Sequence, residues 1–246
     1  MTGVPTLTAT EATAVAAELA AGFAREAADR DARRALPIAE LDRLSRSGLL
    51  AITVPLRYGG AELPVETVAE VIRSLSAGDP NIGQIPHSHF VYVNQLRLQG
   101  TDAQRKLLFG EVLAGRRFGN AQSEANTRHV REIRTTLTAD APGHWRLNGR
   151  KFYATGALLA HRIPVLAHLG PDGPLHVAWV DGSVTVRPAA EPALPTAGQP
   201  PHSWPMSVKT VPGWASPEEP PAPDAAARLA DMIRRDPSLL GPDDHG

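Results

Sequence analysis

Small polar residues are concentrated in two short stretches of the sequence, residues 118–124 (FGNAQSE) and residues 147–156 (LNGRKFYATG). In each stretch, amide or hydroxyl side chains stand beside glycine or alanine, which leave the backbone open to a ligand. Amides and hydroxyls form hydrogen bonds along the polar edge of a flat heteroaromatic ring, and a tyrosine can cover one of its faces. These residue types suit a site for a flat ring cofactor.

Two histidines, His87 and His89, are the candidates for proton exchange near neutral pH. Residues two apart on a helix point in different directions, so at most one of the two can face a bound ring. The nine histidines show no H-x-x-x-H or H-E-x-x-H spacing, and cysteine is absent, so we expect no metal site. No G-x-G-x-x-G motif opens a βαβ unit, which argues against a Rossmann site.

The composition places these residues in an ordinary globular chain. Its 246 residues allow one large domain or two small ones, and 42% hydrophobic with 21% charged residues can supply a folded core. The net charge of -1 gives no electrostatic footprint for nucleic acid or an anionic membrane surface. We find no signal peptide and no apolar run near the ~20 residues of a membrane span, so we expect a soluble, cytoplasmic protein.

The elements that position the two stretches change type along the chain. Before about residue 115, apolar residues recur at helical spacing, and Thr8 and Glu11 have the spacing of a capping box. Five helices are predicted, beginning after Thr8, at Pro37, near Pro64, near His87 and after Thr101. Residues 1–116 are therefore expected to form an N-terminal helical domain.

From Arg117 onward the pattern is that of short β-strands. Strands are predicted at residues 135–138, 145–147, 151–154, 163–169, 175–180 and 184–186, with a turn at residues 140–143. Asn148-Gly149 is a strong hairpin signal, because both positions of such a turn need positive φ. Residues 117–187 are expected to form a small antiparallel β-domain that holds the cofactor.

Thirteen of the 23 prolines lie from Pro188 onward, a density that breaks both helices and strands. Residues 188–246 are therefore predicted to be a mostly disordered tail, with one short helix at residues 224–235. The predicted fold class is α+β: a helical domain, a small antiparallel β-domain and an irregular tail.

Together with an upstream stretch, residues 47–60 (SGLLAITVPLRYGG), the two polar stretches resemble the acyl-CoA dehydrogenase superfamily of flavoproteins. Residues 84–90 and 110–124 look most like its sulfur-acquisition branch, the flavin-dependent oxygenases related to dibenzothiophene desulfurisation. Acyl-CoA dehydrogenases usually follow the Thr-Glu pair of this region with Gly-Ser-Asp. Here Ser123-Glu124 lacks that continuation, which favours the oxygenase branch.

The resemblance implies a flavin, FMN or alternatively FAD, with six candidate binding residues: Asn120, Gln122, Ser123, Tyr153, Ala154 and Thr155. Asn120, Gln122 and Ser123 would border the ring, Thr155 would place its hydroxyl near N5, and Tyr153 would cover one face. The catalytic residues implied are Asn120 with His87 or His89, placed near the flavin carbon that reacts with oxygen. The implied partners are a small organosulfur substrate and a separate flavin reductase.

Members of this family also have a C-terminal four-helix bundle and are homo-oligomers. Nothing after Arg187 shows the periodicity of such a bundle, so we expect a truncated member that lacks the main oligomer interface. Three functions stay open: a reduced-flavin monooxygenase, an FAD-dependent acyl-CoA dehydrogenase, and a non-catalytic remnant.

Overall fold

The computed structural model describes residues 3–124, 127, 129, 132–141, 144–182 and 211–212. In this part of the chain six helices precede a mixed sheet, and both belong to one compact unit that extends to Gly213. The helices are α1 (Ala9–Ala24), α2 (Ala27–Arg33), α3 (Ile38–Arg46), α4 (Val65–Gly78), α5 (Pro80–Gln99) and α6 (Asp102–Leu113). The strands are β1 (Thr136–Ala141), β2 (His144–Asn148), β3 (Arg162–Leu169), β4 (Leu175–Asp181) and β5 (Val211–Pro212). The α+β class is thereby confirmed.

The domain boundaries drawn at residues 116 and 187 stay predictions. The strand predicted at residues 184–186 and the helix predicted at residues 224–235 lie outside the described residues, as does nearly all of the expected tail.

Side-chain caps explain where the helices begin. The hydroxyl of Thr8 accepts the backbone N–H of Glu11, and the Glu11 carboxylate accepts the backbone N–H of Thr8, which completes the expected capping box. Thr101 and Gln104 form a second capping box at the start of α6.

The fourth helix was predicted to begin near His87, but α5 begins at Pro80. The Asp79 side chain accepts the N–H groups of Asn81 and Ile82, and proline is well suited to the first helical position. Pro86 lies inside the helix, at the cost of one helical hydrogen bond. Helix α2 was not predicted at all.

The helices enclose an apolar core between α1, α3, α4 and α5. Its buried members include Leu19, Phe23, Leu41, Leu44, Val71, Leu75 and Ile82, each contributing about 1.5–3 kcal/mol when fully buried. A buried ion pair ties α2 to the start of α5, since Arg30 Nη2 lies 2.9 Å from Asp79 Oδ2. Arg30 also pairs with Glu40 at 3.2 Å.

The sheet has the strand order β4-β3-β1-β2-β5. Three of its pairings are antiparallel, but β1 and β3 run parallel, so the prediction of a wholly antiparallel sheet holds only for most of it. Strand β2 runs back antiparallel to β1, and a crossover formed by residues 149–161 then leads past β1 to β3 on its other side, so that β3 runs parallel to β1.

The predicted turn at Asn148-Gly149 is wrong. In the β1–β2 hairpin Ala141 is paired with His144, and Asn148 is paired with Thr136 inside the ladder. Gly149 is explained by close packing instead, because a β-carbon there would lie 2.1 Å from the hydroxyl oxygen of Thr135. The strand predicted at residues 151–154 is also wrong, since this segment is an irregular part of the crossover.

Aromatic rings join α5 to the sheet. The ring of Phe118 lies 5.1 Å from that of His89 and 4.8 Å from that of Trp179 on β4, measured between centroids. The ring of Tyr92 meets Trp179 edge-on at 5.8 Å. Such edge-to-face pairs stabilise a contact beyond the area they bury. These ring contacts place α5 beside the segment that contains the candidate residues.

Candidate functional site

The first polar stretch runs alongside β3 after leaving α6. The backbone N–H groups of Gly119 and Ala121 donate to the carbonyls of Arg162 and Pro164, at 2.8 and 3.1 Å. Because successive N–H groups of an extended chain point to opposite sides, those of Asn120 and Gln122 point away from β3. Neither has a hydrogen-bond partner among the described residues. This stretch therefore presents an open row of donors on one side.

Asn120 adds an unpaired acceptor to these backbone donors. Its side-chain oxygen Oδ1 is buried and makes no hydrogen bond in the structure. Leaving a buried polar atom unpaired costs about 1–3 kcal/mol, so such atoms are rare in folded proteins unless a ligand or water pairs with them. The unpaired Oδ1 of Asn120 thus indicates most clearly, in this region, that a hydrogen-bond donor from outside the chain belongs here.

Gln122 is held by α5. Its Nε2 donates to the hydroxyl oxygen of Tyr92 at 2.8 Å. Tyr92 is almost fully buried, and burial raises the pKa of its phenol to about 12 despite the hydrogen bond from Gln122. The phenol is therefore neutral at ordinary pH. With the side chain fixed this way, Gln122 has its backbone N–H left to offer to a ligand.

The second polar stretch lies against the first. The backbone N–H of Phe152 donates to the carbonyl of Ser123 at 2.9 Å, which brings residues 120–123 and 152–155 together. Tyr153 follows in the left-handed conformation, with φ of 52°, and its side chain is 68% exposed. A non-glycine residue in this conformation is strained, and such strain is concentrated at functional sites. The backbone N–H of Thr155 turns back to the carbonyl of Tyr153 at 2.9 Å.

Serine and threonine hydroxyls in turns, such as those of Ser123 and Thr155, commonly form hydrogen bonds with nearby backbone groups. The structure shows no such bonds, since neither hydroxyl has a partner among the described residues. Ala154 is partly buried and packs against the apolar cluster of the sheet. Two free hydroxyls therefore stand in the two stretches that meet.

A charged residue from each stretch, Glu124 at the end of the first and Lys151 within the second, takes part in a buried ion pair. Lys151 Nζ lies 2.7 Å from Glu124 Oε1, with both side chains about 95% buried. Glu124 also accepts from the hydroxyl and the N–H of Thr135, at 2.5 and 3.0 Å, and from the N–H of Arg134 at 2.8 Å. Sequence reasoning missed Lys151, Glu124 and Thr135. The one available sign was that opposite charges occur in the two stretches.

His89 is a buried element of the fold. Its Nε2 bonds to the carbonyl of Leu50 at 2.8 Å, and its Nδ1 accepts the N–H of Phe118 at 3.0 Å. These two bonds together require the neutral ring with its proton on Nε2. Burial lowers the pKa of His89 to about 4, so the neutral form persists at ordinary pH. Both ring nitrogens are occupied, and neither is open to a ligand.

His87 is exposed and lies on another face of α5. At 100° per residue it shares a face with Val91 and Leu98, roughly opposite Ile85 and Tyr92. Val91 and Leu98 are more than half exposed, whereas Ile85 lies against Gly156 next to the second stretch. The structure therefore does not bring His87 to the two stretches. The catalytic roles of His87, His89 and Asn120 stay predictions.

The described residues lack the features of two other kinds of site. They contain no group of three or more histidine, aspartate or glutamate side chains arranged to hold a metal ion. Their helices are all too short or too polar to cross a membrane. The cytoplasmic location stays a prediction.

Comparison with known proteins identifies the helical region. Residues 7–116 match the family described as acyl-CoA dehydrogenase, N-terminal domain. The resemblance that the motifs predicted is thereby confirmed for residues 7–116.

Three similar proteins show which kinds of flavoprotein the chain resembles. Dibenzothiophene monooxygenase of Rhodococcus qingshengii is 30% identical over 172 residues, which are 70% of this chain and 41% of that protein. A Pseudomonas putida protein named probable FMNH2-dependent monooxygenase SfnC is 31% identical over 147 residues, 59% of this chain and 35% of that one. The structure of FMN-bound TdsC from Paenibacillus sp. A11-2 superposes with a TM-score of 0.64 at 30% identity, covering 71% of this chain and 45% of that chain. The chain thus spans less than half the length of these relatives.

Proposed function

We propose that this chain forms the FMN-binding part of a reduced-flavin monooxygenase that acts on a small organosulfur compound. The observation that supports it most directly is the set of open hydrogen-bonding groups where the two polar stretches meet. These are Asn120 Oδ1, the hydroxyls of Ser123 and Thr155, and the outward N–H groups of Asn120 and Gln122. Relatives named for FMN and for sulfur substrates direct the proposal to this cofactor and substrate class.

The open groups fit the chemistry of a flavin. The pyrimidine side of its ring system alternates N–H donors with carbonyl and ring-nitrogen acceptors. Asn120 Oδ1 can accept from a ring N–H, while the N–H of Gln122 and the hydroxyls of Ser123 and Thr155 can donate to ring acceptors. Tyr153 is exposed and can cover one face of the ring. Ala154 is small and lets the ring approach the backbone between Tyr153 and Thr155.

When bound, FMN reduced by a separate reductase would supply the chemistry that transfers one atom of dioxygen to the substrate sulfur and releases the other as water. The residues of this chain bind and orient the ring and limit its contact with water. Glu124 is not a base for this or any other reaction, because four donors already occupy its carboxylate. An acyl-CoA dehydrogenase would need a free carboxylate to remove a proton, and Glu124 does not provide it.

Flavin titration of the purified chain tests the proposal. We expect FMN to bind more tightly than FAD, observed as a change in flavin fluorescence at a fixed flavin concentration. In the presence of NADH and a flavin reductase, oxygen consumption and oxidation of dibenzothiophene are then measured together. Product formed in proportion to oxygen consumed would support a monooxygenase.

A preference for FAD together with oxidation of an acyl-CoA would instead support a dehydrogenase. Absence of binding by either flavin would refute the proposed site. Asn120→Ala is the matched test of location, with Thr138→Val on the exposed part of β1 as a control that should bind FMN like the unaltered chain. If both variants bind FMN equally well, the flavin does not lie at Asn120.

A further inference from the structure

We propose that the Glu124–Lys151 ion pair is a positioning device that holds the two halves of the flavin-binding edge at a fixed separation. The inference rests on the proposed FMN site and adds residues to it that do not themselves touch the ring. The pair lies at the end of the first polar stretch and at the start of the segment that leads to Tyr153, Ala154 and Thr155.

The ion pair is connected to both stretches by further hydrogen bonds. Besides Glu124, Lys151 Nζ donates to the carbonyl of Gln122 at 3.1 Å. The next residue, Phe152, donates its N–H to the carbonyl of Ser123 at 2.9 Å. Lysine and the following amide therefore bind two successive carbonyls of the first stretch. These two bonds fasten the end of the first stretch to the segment that begins at Phe152.

The carboxylate connects the same stretches to the sheet. Glu124 accepts from the N–H groups of Arg134 and Thr135 and from the Thr135 hydroxyl, directly before β1 begins at Thr136. Gly149 lets the crossover pass against the same threonine. Thr135 is thus enclosed between the two halves of the site, and β1 provides a rigid support for both.

Neither charge is available for chemistry. Burial alone would raise the pKa of the Glu124 carboxyl, but hydrogen bonds from Lys151, Thr135 and the two amides together lower it. Burial lowers the pKa of Lys151, and the Glu124 carboxylate opposes that effect. The donors of Lys151 and the acceptors of Glu124 are satisfied by each other and by the neighbouring groups. The remaining role of the pair is geometric.

The test compares Lys151→Met and Glu124→Gln with the double variant. Each single variant removes the same Glu124–Lys151 contact, so we expect each to weaken FMN binding about ten-fold or more. The double variant should bind FMN no more weakly than the weaker-binding of the two single variants. The bound-flavin absorption bands should shift in all three. Lys151→Arg keeps the charge and the donors, and we expect it to retain affinity within a few-fold.

Glu111→Gln is the matched control, since it removes the ion pair in which Arg162 Nη2 lies 2.6 Å from Glu111 Oε1, between α6 and β3. It should lower stability without changing the FMN dissociation constant or the flavin spectrum. Unchanged FMN affinity in folded Lys151→Met and Glu124→Gln would overturn the positioning role. Affinity losses that simply add in the double variant would overturn it as well.

A separate readout distinguishes this inference from the proposed function. Hydrogen exchange of the Phe152 amide is measured without flavin, and we expect it to accelerate at least ten-fold in Lys151→Met and Glu124→Gln relative to Glu111→Gln. If the unaltered chain binds no FMN while this acceleration is present, the proposed function fails and the positioning contact stands. If exchange at Phe152 is unchanged, the contact does not position the segment, whatever the result for FMN.

Discussion

His89 makes the stability of this protein depend on pH in a defined direction. The ring joins Leu50 to Phe118 and is neutral and fully buried in the folded chain. Because its folded pKa is lowered from 6.5 to about 4, the unfolded chain binds more protons between these values. The contribution of His89 is complete above about pH 6.5 and is lost as the pH falls toward 4. The shift corresponds to about 3 kcal/mol, since one pKa unit is about 1.36 kcal/mol.

Replacing His89 by phenylalanine separates this effect from other titrations. The variant keeps a ring of similar size but leaves the Leu50 carbonyl and the Phe118 N–H unpaired, at about 1–3 kcal/mol each. Near pH 7.5 we expect His89→Phe to be less stable than the unaltered chain. The two free energies of unfolding should converge by about 3 kcal/mol as the pH is lowered to 4.5.

Urea unfolding followed by far-UV circular dichroism, at several pH values in that range, measures both curves. His87→Phe on the exposed face of the same helix is the control and should keep the pH dependence of the unaltered chain. Parallel curves for the unaltered chain and His89→Phe would refute the assignment of His89 as the neutral link between Leu50 and Phe118.

Three further changes test other contacts. Thr155→Val keeps the volume but leaves a flavin acceptor unpaired, so FMN affinity should fall about ten-fold or more; an equal dissociation constant with intact folding would remove Thr155 from the site. Arg30→Met leaves the buried Asp79 carboxylate without its partner and should lower stability by about 3–5 kcal/mol, whereas Arg33→Met, at an exposed pair, should cost less than about 1 kcal/mol; equal melting temperatures for the two would contradict this. Tyr153→Gly relieves a left-handed tyrosine, so stability should change by no more than about 1 kcal/mol while FMN binding weakens; undiminished affinity would show that Tyr153 does not cover the ring.

Local signals predicted much of the helical region. The capping spacing at Thr8 and Thr101 and the proline at position 64 mark helix starts that depend on neighbours a few residues away. The same reasoning failed where a distant group decided the outcome. Asn148-Gly149 has the composition of a hairpin turn, yet Gly149 is required by the side chain of Thr135, which only the folded sheet brings close.

In the candidate site, too, local patterns revealed some residues, whereas long-range contacts determine the others. The stretches containing Asn120 and Thr155 could be found because their residue types are unusual for plain strands. The role of His89 could not, because its partners Leu50 and Phe118 are 39 and 29 positions away in the chain. Glu124 and Lys151 are separated by 27 positions, and nothing local indicates that their charges meet in the interior. Long-range pairing of side chains is fixed by packing and is absent from sequence patterns.

The ring contacts between α5 and β4 make the fluorescence of Trp179 sensitive to changes near the candidate site. Trp179 is largely shielded from water, touches Phe118 and Tyr92, and through Tyr92 lies one hydrogen bond from Gln122. An indole in such surroundings emits at shorter wavelength than one in water, and a flavin bound nearby would accept its excitation energy. The ring of His89 packs at a tilt against the same Phe118, so acid that breaks the two hydrogen bonds of His89 should shift this emission to longer wavelength. Ligand occupancy and acid opening would thus be visible as two different changes, a loss of intensity and a shift in colour, of the same tryptophan.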